Sequence, residues 1–175
     1  MKYIHTQQYQ SPYGSLLIGD YEGKLCLLDW HHRAKRSSVD RRLTAFLDAA
    51  YRDEATLLHQ DAIAQLEAYF ARQRTAFDLP LLLAGTEFQR KVWTALMEIP
   101  YGATVSYLEL SRRLGDEKAI RAVASANGAN AISIIVPCHR VIGSNRSLTG
   151  YAGGIAVKQR LLELESNVQQ GGLFE

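Results

Sequence analysis

Residues Tyr3 to Tyr9 form an alternating segment, the two-residue period of a strand with one face buried. Ser11-Pro12-Tyr13-Gly14 reads as a turn, because proline fixes φ and glycine tolerates positive φ. Ser15–Gly19 and Leu25–Trp30 are apolar runs on either side of Tyr21-Glu22-Gly23-Lys24, so they read as a hairpin. His31–Ser38 is polar and basic and reads as a loop. The period then becomes helical. Leu43, Phe46, Leu47 and Ala50 predict a helix over Val39–Tyr51, and Ile63, Leu66, Tyr69 and Phe70 predict one over Ala62–Arg72. Phe77–Leu83, interrupted by Pro80, predicts an extended exit from a first domain.

Gly85-Thr86 is the best boundary, dividing the chain into domains 1–84 and 85–175. Thr86 suits the N-cap of a helix through Phe88, Val92, Trp93, Leu96 and Met97, ended by Pro100-Tyr101-Gly102. Ser106 caps a short helix, Tyr107–Leu114, closed by Gly115, and a small-residue helix follows over Lys118–Asn127. Two short helices around a glycine turn make a helix-turn-helix candidate, and also a common element of plain bundles. Ile132–Val136 is β-branched and predicts a short buried extended segment. Gly143–Gly154 reads as a loop, Ile155–Glu165 as the last helix, and Asn167–Glu175 as a loose tail.

The fold class this predicts is α+β: a first α/β domain with a small antiparallel sheet, then a mainly helical domain. With 47% apolar residues the chain can build a core. Residues 1–85 carry ten basic and ten acidic side chains, whereas residues 86–175 carry ten and eight, so the net +2 sits in the second half. That charge excludes a strongly cationic nucleic-acid coat. Any DNA binding should neutralise few phosphates and depend shallowly on salt. No apolar stretch reaches membrane-spanning length and no signal peptide is visible, so no membrane partner is expected. Two distant thiols, Cys26 and Cys138, make no disulfide framework. A reducing cytoplasm is the expected compartment, because a thiol stays reactive there.

Cys138 is the centre of the candidate chemistry. A thiol attacks as its thiolate and needs help to ionise near neutral pH. An imidazole held by a third polar group supplies that help, and His139 and Glu165 are the candidates. Neighbours on an extended segment point to opposite faces, so direct contact of Cys138 with His139 needs a turn at Pro137 or a bridging water. The alternative is that Cys138 is a small buried apolar residue, the common fate of a free cysteine.

The stretch Ile134-Ile135-Val136-Pro137-Cys138-His139-Arg140-Val141-Ile142-Gly143 resembles the active-site signature of the O6-alkylguanine-DNA alkyltransferase family, also called methylated-DNA–protein-cysteine methyltransferases. The resemblance extends through Phe88-Gln89, Val92-Trp93, Ile99-Pro100-Tyr101-Gly102, Ser106-Tyr107 and Arg121-Ala122-Val123. It continues in Asn127-Gly128-Ala129-Asn130, Leu148–Gly154 and Lys158 with Leu161-Leu162 through Glu165. It covers nearly all of residues 85–166 in order and spacing.

The resemblance implies a ribonuclease H-like first domain and a winged-helix-like second one. It implies a single-turnover repair enzyme, acting as a monomer without cofactor, whose partner is double-stranded DNA bound through the minor groove. The alkyl group of a flipped-out O6-alkylguanine would pass to Cys138, with O4-alkylthymine a second candidate substrate. Arg121 would enter the base stack. Ser106 and the small residues Ala122, Ala126 and Gly128 would lie against the DNA. Tyr107 would donate to guanine N3, and Ala152 and Tyr151 would sit at O6. The carbonyls of Cys138 and Val141 would accept from the exocyclic amine. Asn130 would brace the turn before the cysteine, and Glu165 would orient His139, which acts through a water. Read without the resemblance, Arg121 is by default a solvated arginine on a helix face, and Tyr107 and Tyr151 are equally ordinary half-buried tyrosines.

Two departures stand out. Ala131 occupies a place where the family usually has proline, and Arg146 one where it often has glycine. Some relatives hold zinc in the first domain, but Cys26, His5, His31 and His32 lack ligand spacing, so no metal is expected. Two other functions remain open: a lesion-recognising protein without chemistry, and a Cys-His hydrolase.

Overall fold

A computed structural model describes residues 1–166; the tail expected to be loose, Asn167–Glu175, lies outside them. The chain divides into two compact units, Met1–Gly85 and the part from Thr86 onward. In the first, β1 (Lys2–Ser11), β2 (Gly14–Tyr21) and β3 (Lys24–Trp30) form an antiparallel meander. A fourth strand, β4 (Ala49–Asp53), adds to the free edge of β1 in parallel, giving the order β3-β2-β1-β4. Helices α1 (Arg36–Leu47) and α2 (Leu57–Phe70) complete the unit. Ile4, Leu16, Ile18, Leu25, Leu27, Leu28 and Trp30 from the sheet are fully buried, with Leu43 from α1 and Ala62, Leu66 and Tyr69 from α2.

Three expectations for this unit are corrected. The basic segment read wholly as a loop contains the start of α1. Buried Asp29 explains why: it accepts from Arg33 at 3.2 Å and Arg36 at 2.9 Å, which neutralises the helix's first residue against the sheet. Ala50 and Tyr51 leave that helix, which ends with Asp48 in the left-handed region, and they enter β4. Their apolar spacing fits both periods, and pairing with β1 decides. The start of α2 moves back to Leu57 because Thr56 caps it, with its hydroxyl accepting from His59 N and its own N–H donating to His59 Nδ1.

The second unit opens with α3 (Glu87–Met97), where Thr86 and Gln89 form a reciprocal capping box. A two-residue strand β5 (Val105–Ser106) leads into α4 (Tyr107–Arg113), whose N-cap hydroxyl is Ser106. A 3₁₀ turn, Glu117–Ala119, precedes α5 (Ile120–Gly128). The Trp93 indole donates to the Ala126 carbonyl at 2.8 Å, seating α5 on α3. The strand β6 (Val141–Ile142) pairs in parallel with β5, and α6 (Ile155–Glu165) closes the unit.

The expected extended segment Ile132–Val136 is a correction. The chain turns there instead, with Val136 N bonded back to Ile132 O and Ile134 held at φ 72. That is a strained conformation for a β-branched residue. Asn130 over-determines it: its Oδ1 accepts from Ile132 N at 2.9 Å, and its Nδ2 donates to Val136 O at 2.8 Å. Local β propensity loses to this side-chain clamp.

Candidate active site

Pro137 releases the chain from that clamp into a single 3₁₀ turn, Cys138–Arg140. Cys138 is 5% exposed, and His139 is fully buried. His139 Nε2 lies 2.8 Å from Glu165 Oε2, so the imidazole is held from α6. Its other nitrogen, Nδ1, is buried with no protein hydrogen-bond partner. The Tyr151 ring stands edge-on to the imidazole with centroids 6.4 Å apart.

The same carboxylate receives Arg140. Its Nε donates to Glu165 Oε1 at 2.8 Å, its Nη2 to Oε2 at 3.1 Å, and its Nη1 to the Ile99 carbonyl at 2.7 Å. Burial alone would raise the Glu165 carboxyl, but His139 and Arg140 together hold it down at about 2. Because its folded value lies below its unfolded one, near 4.5, the stabilisation is complete above pH 4.5 and is lost as pH falls toward 2. The difference amounts to about 3 kcal/mol. Denaturant unfolding between pH 2 and 6 should show that slope, and Glu165→Gln should flatten it. An unchanged slope in the variant would contradict the pairing.

Lys158, on α6, is fully buried and donates to the Val141 carbonyl at 2.6 Å and the Thr149 carbonyl at 2.8 Å. Burial brings its ammonium down to about 8, opposed by the Cys138 sulfur. That coupling puts a cationic group in the electrostatic field of the thiol. Tyr107 is half-buried, with Asn127 Nδ2 at 3.5 Å from its hydroxyl. Burial raises its phenol, and Cys138 raises it further, while hydrogen bonds to Thr149 and Asn127 oppose this. The hydroxyl therefore stays a proton donor at neutral pH. Asn127 Nδ2 also reaches the Cys138 carbonyl at 3.5 Å. Cys26 is different: its sulfur faces the Gly19 carbonyl at 3.6 Å in the core of the first unit, and burial pushes it up to about 12.

The structure thus gathers Cys138, His139, Glu165, Tyr107 and Asn130 around one turn. Val141 lies beside them, fully buried, and Tyr151 and Ala152 are half-buried on the following loop. Arg121, Ala122 and Gly128 are exposed on α5, away from the inward face that carries Val123 and Ala126. The expectation that Ala126 faces DNA is corrected. It is 3% exposed, because it packs inward where its carbonyl accepts from Trp93. Ser106 is half-buried and spends its hydroxyl on the α4 cap. Arg146 sits at φ 65, the backbone region that glycine adopts freely. Ala131 is 5% exposed within the Asn130 clamp.

Three residues of this cluster carried no assigned role in the sequence: Arg140, Lys158 and Asn127. Lys158 left a signal there. Lys158, Leu161, Leu162 and Glu165 fall at i, i+3, i+4 and i+7, so two charged side chains sit on the apolar stripe of a helix. Buried charges need partners, so such a stripe marks a polar site.

The chain matches two family models: the ribonuclease-like domain of 6-O-methylguanine DNA methyltransferase over residues 4–83, and its DNA-binding domain over residues 87–167. It is 58% identical over 167 residues to the methylated-DNA–protein-cysteine methyltransferase of Mycobacterium tuberculosis, covering 94% of this chain and 93% of that one. It is 46% identical over 160 residues to the enzyme of the same name from Methanosarcina acetivorans, covering 91% and 96%. The crystal structure of the M. tuberculosis O6-methylguanine methyltransferase in complex with DNA superposes with a TM-score of 0.78. That superposition covers 92% of each chain at 43% identity. With both halves matched and that identity along its length, the chain belongs to the O6-methylguanine DNA methyltransferase family.

Proposed function

We propose that this protein repairs DNA by moving the alkyl group of O6-alkylguanine onto its own Cys138. The observation that carries this reading is the buried 2.8 Å contact of His139 with Glu165, on the residue next to the Cys138 thiol. The family membership supplies the substrate class, and the relative's complex with DNA supplies the partner.

The steps follow from the chemistry of the groups. The target carbon belongs to a stacked base, so the nucleotide is flipped out. The exposed Arg121 on α5 fills the gap, since a planar cation can stack on the remaining bases. Ala122 and Gly128 on the same helix let the backbone approach the minor groove, with Ser106 at the start of α4 beside it. The Cys138 proton passes through a bridging water to His139 Nδ1, while Nε2–H stays on Glu165. The thiolate attacks the alkyl carbon: the S–C bond forms, the C–O6 bond breaks, and the electron pair leaves on guanine. Tyr107 donates its proton to N3 and neutralises that leaving group; afterwards the imidazolium returns its proton to solvent and the phenoxide takes one back. The Val141 carbonyl, with a lone pair beyond its Lys158 bond, accepts from the exocyclic amine. The Cys138 carbonyl already receives Val141 N and Asn127 Nδ2, so selection of guanine rests more on Val141. Tyr151 and Ala152 close on O6, and Asn130 keeps the cysteine turn rigid. A thioether is stable to water, so each chain acts once.

We further place the protein in a reducing cytoplasm, as a monomer without cofactor, with residues 1–84 supporting a catalytic domain at 85–175. O4-alkylthymine is a second candidate substrate. Among the described residues no helix is long and apolar enough to cross a membrane.

Intact mass after incubation with O6-methylguanine duplex tests the reading. A gain of one methylene supports transfer. Unchanged mass with retained binding would make the protein a lesion sensor, and turnover of a thioester would make it a hydrolase. Tyr107→Phe should slow transfer by about 10²- to 10⁴-fold, the usual weight of one proton donor, with modest loss of binding. An unchanged rate would remove Tyr107 from the mechanism.

A further inference from the structure

Resting on that reading, we propose that Arg140 is a positioning residue: by holding the Glu165 carboxylate in a two-pronged salt bridge, it keeps the His139 imidazole free to accept the Cys138 proton. Glu165 is 1% exposed and serves two partners at once. Arg140 takes both oxygens and is itself anchored on the Ile99 carbonyl, and its guanidinium lies 5.8 Å over the Tyr101 ring. The planar fork of arginine matches a carboxylate in a way that a lysine ammonium cannot.

A buried carboxylate must be balanced by a positive charge. With Arg140 in place, the guanidinium shares the balancing of the Glu165 carboxylate with His139, so less of that balance falls on a protonated imidazole. Without Arg140, the charge left on Glu165 would be met by a proton resident on His139. A proton-loaded imidazole cannot take another, so the thiol would lose its base. The other groups near this pair are the Tyr151 ring, which meets the imidazole edge-on, and Tyr107 on α4 and Lys158 on α6, which couple to the neighbouring sulfur. None of them carries a negative charge at neutral pH, so the carboxylate of Glu165 is what Arg140 offsets.

The test is the pH dependence of single-turnover transfer from O6-methylguanine duplex. The acid limb reports loss of the first proton from the coupled thiol–imidazole pair. Arg140→Met should move that limb to higher pH by about one unit, which is about a tenfold lower rate on the limb, and leave the alkaline plateau less affected. Arg140→Lys keeps the charge and should recover part of the shift. If Arg140→Met does not fold, Arg140→Gln is compared with Arg140→Lys. The acid limb of the Gln variant should lie at higher pH, since only the lysine leaves a cation beside the Glu165 carboxylate. Equal slowing at every pH, with the limb unmoved in either comparison, would overturn the proposal and leave Arg140 a packing residue. No methyl transfer by the unmodified protein would instead overturn the assigned function.

Discussion

A Cys138→Ser chain is expected to bind duplex DNA containing O6-methylguanine and to leave the methyl group where it is. Serine nearly matches the volume of cysteine, so the turn that Asn130 clamps should survive the change. What is lost is chemical. A hydroxyl holds its proton far more tightly than a thiol, and its oxygen is a much weaker nucleophile than a thiolate toward a saturated alkyl carbon. Transfer should fall by at least about 10³-fold, as it does when an activated nucleophile is removed from a working group. The second thiol cannot substitute. Cys26 lies in the sheet core of the other unit, and burial holds it protonated at about 12. Single-turnover assay with radiolabelled methyl groups measures this, and residual transfer within tenfold of the unmodified chain would move the chemistry off Cys138.

Arg121→Ala should separate two substrates. On duplex DNA, the arginine replaces the stacking that the extruded nucleotide gives up, an effect worth about 1–3 kcal/mol per stacked base. Losing it should slow transfer from duplex by roughly 10- to 100-fold. The free base O6-methylguanine needs no extrusion, and Arg121 is exposed on α5 outside the residues that gather at Cys138. Its reaction should therefore be nearly unchanged. Equal slowing on both substrates would mean that Arg121 supports the pocket or the fold, and the finger role would fail.

Much of this was legible in the chain, and the failures have physical causes. The hairpin, the capped helices at Thr86 and Ser106, and the last helix up to Glu165 follow from turn residues, caps and period, because those signals are local. At Ala50 and Tyr51 helix and strand spacing coincide, and only β1, far away in sequence, decides for β4. Ile132–Val136 reads as extended because four β-branched residues outweigh, by propensity, a clamp made by one asparagine side chain. Cys138, His139 and Glu165 could be named from residue type and motif. Their assembly could not be, since a 3₁₀ turn and a helix more than twenty residues later supply the 2.8 Å contact. Arg140 stands beside the cysteine, yet nothing in sequence says that its fork closes on the same carboxylate as His139.

One sulfur, on Cys138, reacts once. Incubating the protein with an excess of duplex carrying O6-methylguanine, then counting methyl groups per chain and mapping them by peptide, tests this most directly. Transfer should stop at one methyl per chain, found on Cys138 as a thioether. Continued turnover beyond one equivalent, or methyl groups on any other residue, would contradict it.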